Sequence, residues 1–99
     1  MTSSTLQSAH RTTTGDLVAG RCRLLDIYFT TTATASSLVF RSGGSGGTVK
    51  LTLVTPADAG GRTVRLSKDG ILFEDGVHVT LGSAEVTSVT VAFDGGAPA

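Results

Sequence analysis

The sequence predicts an all-β protein, a small antiparallel β-sandwich with a jelly-roll-like arrangement. Short apolar runs alternate with polar residues, as in residues 77–81, where Val77, Val79 and Leu81 share one face. Turn residues, many of them among the 13 glycines, recur roughly every ten positions. No segment has helical periodicity for longer than a turn. Strands of this length and spacing are typical of sandwiches and jelly rolls.

The 99 residues suit one domain, which we place at residues 17–94 between an N-terminal arm, 1–16, and a short tail, 95–99. The arm is rich in Ser and Thr, and Leu6 is its only large apolar residue after Met1. Such a segment buries too little apolar surface to offset its ordering entropy. It is therefore either a flexible tail or an arm that orders on a partner, and we expect Leu6, His10 and Arg11 to make that contact.

Seven runs are predicted as strands, and most alternate regularly, so that one face of each points inward. In the run 48–54 this places Val49, Leu51 and Leu53 inward. The run Gly43–Gly47 lacks the Lys and the following helix of a phosphate-binding loop, and is predicted as a hairpin loop. Asp69-Gly70 and Glu74-Asp75-Gly76 are also predicted as hairpin turns. The predicted strands are 21–31, 38–41, 48–54, 62–67, 71–73, 77–81 and 86–93.

The first of these strands changes its pattern at Leu24-Leu25, where the inward positions move from even to odd residue numbers. Either a β-bulge or burial of both faces explains the change. Asp26 lies within this strand. It is expected on the solvent face or paired with Arg21, Arg23 or a basic residue of the next strand.

Charge and composition exclude several classes of function. Eight basic and eight acidic residues cancel and are scattered, so we expect no nucleic-acid partner. No apolar run reaches membrane-spanning length, and no signal peptide is recognisable, so we expect no membrane partner and synthesis in the cytoplasm. Cys22 is the only cysteine, which excludes an intrachain disulfide.

The residues that could carry chemistry do not form a recognisable catalytic set, so we expect no enzymatic activity and no cofactor. His10 lies in the arm and His78 on the outward face of a strand, while Cys22 alternates with core positions. Glu74 and Asp75 suit a turn better than an acid–base pair. Four acids in Gly-containing turns would build a calcium site only if two turns met in space, and the prediction is that no metal is bound. These acids are Asp69, Glu74, Asp75 and Asp94.

Surfaces are the remaining candidates for function. The outward positions are mostly Thr and Ala, and a sandwich of this size has strand edges that must be blunted or paired. Such neutral faces are readily buried against another copy, which predicts a homo-oligomer. A soluble monomer with ordinary Thr-rich strands is the alternative.

Four segments carry a resemblance to a known class of protein. They are Arg23–Tyr28, Leu38–Arg41 with its Gly-rich turn, Gly70–Leu81 and Val89–Phe93. Over residues 17–94 their hydrophobic spacing and Gly placement resemble small β-sandwich structural proteins of tailed bacteriophages.

The resemblance implies a non-enzymatic virion component that is made in the host bacterial cytoplasm. It favours a capsid decoration or cement protein, often a trimer, that binds the major capsid protein or other virion proteins. The alternative is a tail or head-fibre module that contacts host-surface carbohydrate through the Gly43–Gly47 loop and the Asp-Gly turns.

Overall fold

A computed structural model describes residues 6–66 and 68–99. Within them the chain forms ten β-strands and no helix. The strands are short because turn residues interrupt the alternating runs. Their bounds are β1 Leu6–Arg11, β2 Gly15–Ala19, β3 Cys22–Thr31, β4 Ser36–Ser42, β5 Thr48–Thr55, β6 Gly60–Arg65, β7 Ile71–Phe73, β8 Val77–Leu81, β9 Val86–Asp94 and β10 Ala97–Pro98.

The strands build two antiparallel sheets. Sheet A has the order β1-β9-β3, and β6 and β7 follow one another along the other side of β3. Sheet B has the order β10-β2-β8-β4-β5. When β6 and β7 are counted as one interrupted strand, the sheets interleave as in a jelly roll, with 1-9-3-6 facing 2-8-4-5. The predicted all-β sandwich is therefore confirmed.

The core lies between the sheets and is made of aliphatic and Phe side chains. Phe73 and Phe93 of sheet A and Phe40 of sheet B are fully buried. Each side chain of this size contributes roughly 1.5–3 kcal/mol when removed from water. The predicted inward positions of β4 and β9 are confirmed by their burial. These positions are Leu38, Phe40, Val89, Val91 and Phe93.

The prediction of a flexible arm is wrong for the residues that the structure describes. Leu6–Arg11 forms β1 and pairs with β9 along its whole length, and Gly15 and Asp16 belong to β2. This mostly polar strand is ordered because β9 supplies hydrogen-bonding partners for its backbone. Residues 1–5 lie outside the described residues. The predicted tail also pairs, since β10 lies against β2 and Ala99 N donates to Leu17 O at 3.1 Å.

Two of the three predicted hairpins are wrong. The Gly43–Gly47 loop does join the paired strands β4 and β5. Glu74-Asp75-Gly76, however, carries the chain from β7 in sheet A to β8 in sheet B. Gly76 is required there, because its φ is 86° and a Cβ would lie 2.5 Å from Val18 O. Asp69-Gly70 joins β6 and β7, which both pair with β3 and not with each other.

Bulges explain where the alternating pattern breaks. Leu24 is opposite Phe93 and Asp26 is opposite Ala92, so Leu25 is an extra residue and the predicted bulge is confirmed. Asp26 is directly opposite Arg65 of β6, a basic residue on a neighbouring strand. Three further register shifts in the described residues were not predicted, and they lie in β2, β5 and β9.

The bulge in β5 changes which residues of the strand face the core. Phe40 is opposite Leu51 and Arg41 is opposite Val49, which makes Lys50 the extra residue. A one-residue insertion moves the residues before it to the other face. Val49 therefore points outward and is 47% exposed, and its predicted inward position is wrong.

Candidate interaction surfaces

The three residues predicted to contact a partner all lie on β1, at the edge of sheet A, but they differ in surroundings. Leu6 begins the strand and is 54% exposed. His10 points outward opposite Thr90, and its Nδ1 lies 2.8 Å from Thr90 Oγ1. Both side chains thus belong to the outward surface of sheet A. Their contact with a partner stays a prediction.

Arg11 is engaged with its own turn. Its Nε donates to Thr13 O at 3.0 Å and Nη2 to Thr13 Oγ1 at 3.2 Å. Nη1 donates to Asp16 O at 3.3 Å. Gly15 makes room for this arrangement, because a Cβ there would lie 2.5 Å from Arg11 Cζ. Arg11 therefore joins β1 of sheet A to β2 of sheet B, and these bonds compete with any contact to a partner.

The outward face of sheet A carries mostly hydroxyl side chains around Tyr28. One row of directly opposed residues crosses four strands, from His10 through Thr90 and Tyr28 to Thr63. Tyr28 is 45% exposed and lies over Gly61, where any Cβ would clash with the phenol oxygen. Beside this row, Thr30 Oγ1 lies 2.6 Å from the hydroxyls of both Thr87 and Ser88. Hydroxyl groups, one imidazole and one aromatic ring thus make up this row, and the opposed Asp26 and Arg65 lie two residues along β3 and β6.

The outward face of sheet B carries a polar row and a group of valines. Asp16 of β2, His78 of β8 and Arg41 of β4 are directly opposed across the three strands. His78 Nδ1 lies 3.0 Å from Asp16 Oδ1. Arg41 Nη1 donates to Thr80 Oγ1 at 3.1 Å. His78 points outward as predicted, but its neighbours cover it and it is only 7% exposed.

Asp16 could orient His78 as a general base, but such a base acts in catalysis only with a nucleophile beside it. In the described part of the chain, no hydroxyl or thiol hydrogen-bonds to His78. The pairing of Asp16 and His78 was missed in the sequence, because 62 positions separate them. We interpret the contact as a link between β2 and β8.

Cys22 lies in the core, as predicted. It is opposite Phe73 of β7 and is almost fully buried. Burial raises the pKa of its thiol above the ordinary value of 9.0, because the thiolate is poorly solvated in the core. A protonated, buried thiol is a poor nucleophile.

The acids of the Gly-containing turns do not converge. Across residues 6–66 and 68–99, no three His, Cys, Asp or Glu side chains are close enough to share a metal ion. Over the same residues, no helix is long and apolar enough to cross a membrane.

The most exposed apolar side chains of sheet B lie on β5. Val54 is 81% exposed and Val49 is 47% exposed, both on the outward face. Thr52 lies between them, opposite Val39 of β4. No described strand pairs with the other side of β5. β5 thus combines an unpaired backbone edge with exposed β-branched side chains, a combination that favours contact with another chain.

Comparisons with known proteins identify no family. No protein-family model matches the sequence, and no curated protein matches it. Among solved structures, the chain is similar to a subunit from a structure of Bacillus endospore appendages, described as a novel family of disulfide-linked pili. The two are 18% identical, with 89% of this chain and 81% of that chain covered, and the TM-score is 0.38. A likeness at this level carries no argument about function.

Proposed function

We propose that this protein is a structural subunit without enzymatic activity, which is built into the particle of a tailed bacteriophage. By resemblance, its role is that of a decoration or cement protein, held on the capsid as a homo-oligomer. The observation that carries the proposal is the composition of the outward sheet surfaces. Thr, Ser and Ala side chains make up much of the outward face of sheet A, and exposed valines lie along the edge strand β5 of sheet B.

The mechanism is mechanical. A decoration protein adds buried area between capsid subunits and stabilises the shell by binding the assembled state more tightly than its separated parts. Faces of Thr, Ser and Ala suit this task, because their desolvation leaves no buried charge without a partner. The row from His10 to Thr63 on sheet A is such a surface, and Leu6 lies on the same outward face.

The proposal is tested on intact particles. Virions are purified from lysates of the strain that carries the coding sequence and are labelled with antibodies against this chain. We expect labelling of heads, and we expect the purified chain to rebind shells from which it has been removed. Its absence from the particles would overturn the proposal. Labelling confined to tails or fibres would favour the alternative role.

That alternative is a module that contacts carbohydrate, and Tyr28 is the observation that favours it. An exposed aromatic ring among the hydroxyls of Thr63 and Thr90 offers both an apolar surface and hydrogen-bonding groups to a sugar. A glycan array with the purified chain tests this role. Binding that Tyr28→Ala abolishes would support it, and an array without hits would exclude the sugars tested.

A further inference from the structure

We propose that two copies of this chain associate through their β5 strands, antiparallel and in a register centred on Leu53. The pairing would join two copies of sheet B into one sheet of ten strands. It names the contact between copies and so rests on the proposed role as a subunit of an assembly.

Other sheet edges carry features that discourage pairing. β10 has only two residues, and one of them is Pro98, which has no N–H to donate. β6 begins with Gly60-Gly61 and carries Arg62 and Arg65. It ends at Arg65, so the edge that it shares with β7 is interrupted. Short strands, charges and irregularities of this kind protect edges from pairing with other chains.

The edge at β1 lies beside the C-terminal segment. Gln7 Nε2 donates to Gly96 O at 3.1 Å, which links β1 to the residues that lead into β10. Arg11 adds its bonds to the turn before β2. This side of the sandwich is thus already linked from one sheet to the other by side chains.

β5 differs from these edges over its second half. The Lys50 bulge limits one end of a regular segment, and Pro56 follows the strand at the other end. Between them, Leu51–Thr55 has no charge, no Gly and no Pro. Leu53 is its midpoint, so a twofold axis through Leu53 places all five residues in the ladder and leaves the bulge and Pro56 outside it.

This register also keeps each side chain on its own face. Val54 of one copy is opposite Thr52 of the second copy, and both point outward. Cross-strand pairs of β-branched residues of this kind stabilise antiparallel ladders. On the inner face, Leu53 meets Leu53 of the second copy. Leu51 and Leu53 are only partly buried against the core of one chain, and the pairing would cover them.

The area available fits a weak dimer. The five-residue ladder Leu51–Thr55 is about 17 Å long at roughly 3.3 Å per residue. The sandwich is 20 Å across its shortest dimension. An edge-to-edge contact of these dimensions buries about 340 Å² per copy, or about 680 Å² in total, which is the size of weak and transient contacts. We therefore expect dissociation at hundreds of micromolar.

Two double variants of the full-length chain test the register. T52K/V54K places a Lys opposite a Lys at both outward pairs of the dimer. T52K/V54E uses the same positions but places each Lys opposite a Glu of the second copy. We expect sedimentation equilibrium to show a dimer of the unmodified chain, association weakened at least about tenfold in T52K/V54K, and association restored to within about threefold in T52K/V54E.

Ala97→Lys is the matched control, because it adds a charge at an exposed position of β10, at the opposite edge of sheet B from β5. It should leave the dimer unchanged. The β5 pairing would be overturned by a chain that stays monomeric at millimolar concentration or by the trimer that the phage resemblance favours. Equal association of the two double variants would also overturn it. A trimer on phage heads would leave the proposed function standing, whereas absence of the chain from particles would overturn that function whatever β5 does.

Discussion

The bulges at Leu25 and Lys50 insert one residue each, but they lie in opposite surroundings. Leu25 is in β3, which has β9 on one side and β6 and β7 on the other. Its carbonyl accepts a hydrogen bond from Leu66 N at 3.0 Å, at the point where β6 ends and before β7 begins. Lys50 is in the edge strand β5, and its only neighbouring strand is β4 among the residues described.

The difference shows how one backbone irregularity serves two purposes. In the centre of sheet A, the extra residue lets two strands in series share one side of β3. At the edge of sheet B, it turns Val49 to solvent without disturbing a second ladder. We therefore expect the central bulge to matter for stability and the edge bulge to matter for surface contacts.

The largest effect should come from deleting the bulged residues. Removing Leu25 takes away the acceptor of the Leu66 bond and misaligns β3 with β6 or β7, so we expect a loss of about 4 kcal/mol in the free energy of unfolding. Removing Lys50 keeps Val49 opposite Arg41 and costs less than about 1 kcal/mol. Urea unfolding, followed by circular dichroism, measures both. Equal losses would contradict the distinction between centre and edge.

A smaller effect is expected for the glycines beside the two bulged strands. Gly70 and Gly44 have similar positive φ angles, 73° and 83°. A Cβ on Gly70 would lie 2.6 Å from Leu24 O, whereas a Cβ on Gly44 meets nothing within 4 Å. Gly44→Ala should therefore cost about 1 kcal/mol from backbone strain alone, and Gly70→Ala about 3 kcal/mol from strain and the clash.

Gly44→Ala is the control for this pair, because it carries the strain without the contact. The same denaturant titration gives both values. If the two substitutions cost the same, the close approach of Gly70 to the bulge is not important for stability.

The sequence revealed the bulge at Leu25 and hid the one at Lys50 for a physical reason. Leu24 and Leu25 belong to two apolar runs that are out of phase, so the change of face is visible. In β5, Val49, Leu51 and Leu53 continue one alternation, and Val is equally compatible with either face. Only the pairing with β4 reveals the extra residue, and pairing depends on residues far away in the sequence.

The same limit explains the other errors. Leu6–Arg11 has too few apolar residues to be recognised as a strand, and it is ordered by pairing with β9, about 80 positions later. Gly76 has the conformation of a tight turn, but a hairpin turn and a corner between sheets require the same residues locally. The outward surfaces were predictable in composition, since Thr and Val alternate with core residues. The sequence could not predict which residues meet on those surfaces, because that depends on strand pairing.

Thiol labelling compares the two bulged strands without altering either ladder. Cys22 is buried three residues before Leu25, and Val49→Cys in a Cys22→Ser background places a thiol beside Lys50. We expect the thiol at position 49 to react with a disulfide reagent at pH 8 about 1,000-fold faster than Cys22, which must wait for the core to open. Similar rates would show that the start of β3 is as accessible as the edge.

The smallest effect is a loss of stability in alkali that arises from Cys22. Because burial raises the pKa of this thiol above 9.0, the folded chain holds the proton more tightly than the unfolded chain. This contribution to stability is complete below about pH 9 and is lost as the pH rises through the folded pKa. Urea titrations of the unmodified chain and of Cys22→Ser between pH 7 and pH 10.5 measure it. The difference in unfolding free energy between the two chains should shrink as the pH rises, because Ser does not ionise in this range. A constant difference would contradict the assignment of Cys22 as a thiol that the core holds neutral.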